Sequence, residues 1–156
     1  MTRNFERFML ALFSFALLLA GLIPAAQATT CTLASVAGNW GYTYTGNLLL
    51  PSGPVPVAAV GRYMANLDGN ISGTQTRTVA GASAQEVIKG SATVNSDCTG
   101  TATIGIYDQS GNLLRTAVLA AVYVNNGRQA KDIFESLVLD DGTNVPVVIT
   151  ADANKQ

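Results

Sequence analysis

The chain has 156 residues, a formal charge of −1, 12% charged side chains and no histidine. Without a basic block there is no surface to track phosphates, so nucleic acid is not expected as a partner. Without histidine there are no histidine-activated nucleophiles and no histidine metal sites, so neither a metal nor a cofactor is expected.

The first segment reads as a targeting signal. Arg3 and Arg7 form a charged start, an apolar run extends from Phe8 to Ile23, and Ala26-Gln27-Ala28 supplies the small-x-small cleavage pattern. The apolar run is about 16 residues, short of the roughly 20 that a spanning helix needs. Cleavage is expected after Ala28, giving a signal peptide over 1–28 and one domain over 29–156. The mature protein is then secreted or periplasmic, with membrane contact only through the leader before cleavage. Cys31 and Cys98 are the two cysteines. In an exported chain such a pair reads as a disulfide. It would tie the mature N-terminus to the middle of the chain.

Beyond the leader, helical periodicity is nearly absent, apart from a short turn of helix expected at "LASVAG" that could plug one end. Two-residue alternation dominates, broken by "PSGPVP", "DGN", "AGAS", "SDCTG", "DQSGN", "NNGR" and "DDGTN". Gly, Asn and Asp supply the positive-φ positions that hairpins require. The expected strands cover 39–50, 55–67, 71–79, 84–95, 99–107, 113–124, 129–139 and 145–152. A parallel crossover needs a dozen or more residues, so these strands are antiparallel neighbours in a meander. An open meander of that length leaves two edges and one apolar face uncovered. Closure solves both problems, so the expected fold is all-β, an eight-stranded antiparallel up-and-down β-barrel. A two-sheet β-sandwich is the alternative.

Residues 116–124 and 145–149 are apolar on both strand faces. Doubly apolar strands call for cover on the outside, and a second copy in a homo-oligomer is the expected cover. A lipid-facing barrel fits less well, because "TQTRT" and "RQAKDIFES" interrupt any continuous apolar band.

Charges within strands need partners or a place at the rim, because burying one alone is costly. Arg115 shares a face with Ala117, Leu119 and Tyr123; Glu135 with Ile133 and Leu137; Glu86 with Ile88. One reading puts Glu86, Arg115 and Glu135 together as a polar centre inside the barrel. The other makes them rim or interface pairs. The calcium-like spacing in "DGNISG" is explained by a hairpin turn, since position 79 is valine where a carboxylate is needed.

The first strand opens "GNWGYTYTG", with Trp40, Tyr42 and Tyr44 on one side. Gly38-Asn39-Trp40 at this place resembles the lipocalin G-x-W signature. The resemblance implies a Trp that closes the barrel's base and a barrel that holds a small hydrophobic molecule. The family's Thr-Asp-Tyr turn and its stacking arginine are missing here. The architecture also resembles allene oxide cyclase-like barrels, which bind lipids or polyketides and include cyclases.

The expected function is binding of a small hydrophobic ligand. The candidate lining residues are Trp40, Tyr42, Tyr44, Tyr63, Tyr107, Tyr123 and Phe134; simple core packing is the plainer account of the first three. Two alternatives stand beside it. One is a cyclase or isomerase using Glu86 or Glu135 as acid or base, with Arg115 nearby. The other is a structural or adhesive self-associating module with a filled core.

Overall fold

The computed structural model describes residues 30–156. The expected leader and its cleavage site lie outside the described residues. A short helix, α1 (Leu33–Val36), precedes eight strands. They are β1 (Gly38–Leu50), β2 (Gly53–Ala65), β3 (Asn70–Val79), β4 (Ala82–Val94), β5 (Thr99–Tyr107), β6 (Leu113–Val124), β7 (Gln129–Leu139) and β8 (Val147–Lys155). Each strand pairs antiparallel with its neighbours in sequence, and β1 closes onto β8 to complete a barrel. The up-and-down barrel read from the turns is the observed fold, and the sandwich is not.

Alternation assigns the two faces. On β1, Trp40, Tyr44 and Leu48 are buried, while Thr43, Thr45 and Asn47 are exposed. On β3, Ile71 and Gln75 are buried between exposed Ser72, Thr74 and Thr76. Apolar inner positions withdraw area from water, and threonine suits the exposed pleat. Three inner-face glycines allow the strands to coil tightly enough to close. A Cβ at Gly46, Gly73 or Gly90 would fall 2.1, 2.2 or 2.1 Å from a carbonyl oxygen of the adjoining strand. No side chain fits at that distance, so these glycines mark places where backbones approach closely.

One end of the barrel is closed by α1. Thr32 caps it: its hydroxyl accepts from the Ser35 amide at 3.2 Å, and Ser35 Oγ accepts from the Thr32 amide at 3.0 Å. That reciprocal box stabilises a helix otherwise too short to persist. Val36 is buried, and its carbonyl accepts from Trp40 Nε1 at 2.9 Å. Cys31 and Cys98 form the expected disulfide, with Cα atoms 4.9 Å apart and a sequence separation of 67. It pins the segment before α1 to the β4–β5 turn, and closing a loop of that length contributes about 4 kcal/mol in the chain-entropy account.

β2 and β4 each begin two residues before the expected position, and two further departures bear on the interior. β8 begins after Pro146 and continues to Lys155, beyond the expected end at 152. Proline has no amide to give a ladder, whereas Ala153 faces inward with 1% exposure and keeps the alternation going. On β7 the register against β6 slips after Phe134: Leu119 pairs with Phe134, but Val118 pairs with Ser136. Glu135 is the extra residue of this bulge, and parity reverses across it. The ladder between β7 and β8 stops at Ile133 and Thr150, with a further bridge between Val138 and Asn144.

Candidate ligand cavity

The barrel interior holds a cavity of about 90 Å³, measured as the space open to the centre of a water molecule. That is below the roughly 300 to 1,000 Å³ of pockets for drug-sized ligands, so the space suits a small molecule. Its wall is mainly apolar, with Ile88, Ile104, Ile106, Leu119, Leu137 and Ile149 among the lining residues. Five expected residues also line it: Tyr42, Tyr44, Tyr63, Tyr123 and Phe134. The rings are interlocked. Tyr44 meets Phe134 edge-on at 5.3 Å between centroids, and Tyr42 meets Tyr63 at 5.7 Å. Such geometry adds modest attraction beyond the buried area and keeps the wall rigid.

Two expected lining residues are elsewhere. Trp40 packs below the cavity, at the α1 end, with Val36, Ala130 and Ala153. Its ring lies 6.0 Å from that of Tyr63 and nearly parallel to it, and 6.5 Å from Tyr123 edge-on. It forms the floor under the tyrosines. Tyr107 lies on the outer face, where its ring covers Gly105 and the Lys89 ammonium stands 5.5 Å from its centroid. Its parity is opposite to that of Ile104 and Ile106, which face inward.

A polar cluster crosses the interior. Arg115, on β6, donates to Glu86, on β4, through both arms of its guanidinium, at 2.9 and 2.5 Å. Gln75, on β3, donates to Glu86 Oε2 at 2.6 Å and accepts from the Tyr42 hydroxyl at 2.7 Å. Glu86, Arg115 and Gln75 are 3%, 6% and 6% exposed, so this is an interior ion pair and not a rim contact. Arg77 approaches Glu86 at 3.9 Å from the same wall. Burial alone would raise the Glu86 carboxyl; the hydrogen bonds and charge of Arg115, the Gln75 amide and the Arg77 charge outweigh it and hold Glu86 below the usual carboxylate range.

Glu135 is not part of the cluster. It is exposed on the β7 bulge, and Arg115 reaches past β5 to pair with Glu86 on β4. The bulge also delivers a different carboxyl to the interior. Asp132 lines the cavity beside Ala121 and Ala151, and burial, with a smaller push from Asp152, raises it to about 7. Burial also raises the Tyr42, Tyr44 and Tyr63 hydroxyls, and Tyr123 to about 12, so all four are neutral hydrogen-bonding groups at pH 7.

Sequence reasoning gave no site role to Gln75, Arg77 or Asp132, although it marked the last two as charges within strands. The first two carried a usable signal: they share parity with Ile71 and Val79, while Thr74, Thr76 and Thr78 take the other face. Asp132 shares parity with Ala130 and Phe134, but the bulge hid the link to Leu137.

No protein-family model matches the chain, and no curated protein does. Among solved structures it is similar to a redesigned β-barrel, mFAP1, bound to DFHBI. The TM-score is 0.50 at 18% identity, covering 80% of this chain and 98% of that one. The likeness is one of fold: an eight-stranded antiparallel barrel.

Proposed function

We propose that this barrel binds a small, largely apolar molecule in its interior, without covalent chemistry. One observation carries the reading: a space walled by aliphatic side chains and four tyrosines, with a polar cluster on one side and Asp132 on another. In such a pocket apolar area supplies affinity and a few polar groups set orientation. A module with a filled core would have no such space. The mFAP1 barrel, bound to DFHBI, supports a ligand-holding role for this architecture. We read the chain as lipocalin-like or allene oxide cyclase-like, with Trp40 at the closed end supporting the former.

The same reading makes the mature protein secreted or periplasmic, in keeping with a disulfide that persists in oxidising compartments. Self-association is supported by exposed apolar side chains on the outer face, among them Val60, Val122, Ile133 and Val148. Native mass spectrometry of the mature protein purified from its source tests both: the expected result is an oligomer carrying a small molecule. Ala121→Leu, which fills the cavity, is expected to keep the fold and lose the bound molecule. A bare barrel that also takes up no apolar probe would overturn the reading.

A second reading, an isomerase or cyclase, rests on Asp132 in place of Glu86 and Glu135. A cavity carboxyl with a midpoint of about 7, near Tyr63 and Tyr123, suits proton transfer at neutral pH. Its test is deuterium incorporation from D2O into small carbonyl compounds, present in the native protein and absent in Asp132→Asn.

A further inference from the structure

The interior cluster is unbalanced in charge. Two guanidinium groups, Arg77 and Arg115, line the cavity beside a single carboxylate, Glu86. Arg115 takes both Glu86 oxygens, and Gln75 takes a further lone pair on Oε2. The planar fork of Arg115 matches a carboxylate bidentately, so this pair is complete in itself. Arg77 is left at the margin: it shares a hydrogen bond with Tyr44, and its one ion contact among the described residues is the 3.9 Å approach to Glu86. Its side chain is only 15% exposed. A half-buried cation without a close counter-charge is unfavourable, and burial lowers the affinity of Arg77 for its proton. The other cavity carboxyl, Asp132, is held towards its neutral form by burial and does not supply the missing charge below neutral pH.

We infer that the molecule bound in the cavity is a small apolar acid whose single carboxylate sits against the Arg77 guanidinium. This rests on the binding role proposed above and names its ligand class. One surplus positive charge matches a monoanion; a dianionic phosphate would overshoot it. The cavity of about 90 Å³ admits only a small acid, one ring or a short chain with its head group. The tyrosines and aliphatic wall take the body, and Arg77 fixes the head. Glu86 only partly neutralises Arg77 in the empty barrel, and the ligand carboxylate completes the pairing.

The test uses benzoate, its neutral amide benzamide, and the cation benzylammonium, titrated calorimetrically at pH 6 into the mature protein. The expected order is benzoate, then benzamide about tenfold weaker, with the ammonium weakest. In Arg77→Met, which keeps the length of the stem, benzoate is expected to lose about tenfold and benzamide less than about threefold. Arg77→Lys restores the preference for the acid. Without ligand, Arg77→Met is expected to melt at or above the native temperature, so a loss of binding there is not a loss of fold. Equal binding of acid and amide by the native protein would overturn this inference and leave the binding role standing. Binding of none of the three, with no co-purified molecule, would overturn both.

Discussion

Two carboxyl groups sit inside the same barrel and are driven in opposite directions. Glu86 is held ionised and Asp132 is pushed to about 7. Burial acts on both in the same sense, so burial does not explain the difference. The neighbours do: Glu86 meets a bidentate arginine, an amide donor and a second arginine. Asp132 lies between alanines in the register and feels Asp152, a like charge. One half of the cavity therefore offers fixed charge, and the other a proton that can be given or taken near neutral pH.

The largest effect is expected from Glu86→Gln, which strands Arg115 and Arg77 together in the interior. Urea unfolding at pH 7 should show a loss of about 3–5 kcal/mol. If the loss is below about 1 kcal/mol, the cluster is wetter than its burial implies.

Asp132→Asn should act the other way. The native Asp132 carboxyl binds its proton more tightly than the unfolded one does, so its cost is absent below about pH 4, grows towards pH 7 and then stays constant. The variant should therefore match the native protein near pH 4 and exceed it at pH 8, by up to about 4 kcal/mol. Glu86 has the opposite sign: its contribution is present at neutral pH and lost as acid protonates it. Together the two groups put the stability maximum in mildly acidic solution, and a profile still rising from pH 6 to 8 would contradict the assignment of Asp132.

Replacing the pair together, as Glu86→Leu with Arg115→Leu, should cost less than Glu86→Gln, because Arg77 alone, and not Arg115 as well, loses its carboxylate. The smallest effect belongs to Asp152→Asn. It should lower the Asp132 midpoint slightly, by NMR titration of the carboxyl carbon, and leave Glu86 unmoved.

These two groups also show how far the residues alone could be followed. Glu86, Arg115 and Glu135 stood out together, because each shares an otherwise apolar strand face, and an interior cluster and a rim pairing were both open. The structure puts Glu86 and Arg115 together inside, while Glu135 sits on the bulge after Phe134 and faces out. Parity is a running count, so one inserted residue inverts everything beyond it. Tyr107 shows a different limit: its aromatic ring suits a lining, but its face looks outward.

The sequence by itself determined the eight strands, their antiparallel order, the closure into a barrel and the cysteine pair. These follow from local turn chemistry, a period of two and the need to hide edges. Only the tertiary structure decided which face is the interior, that Arg115 reaches past β5 to β4, and that Asp132 rather than Glu135 enters the cavity. Those outcomes depend on the bulge and the barrel's diameter, which arise from the joint register of all the strands and are encoded in none of them singly.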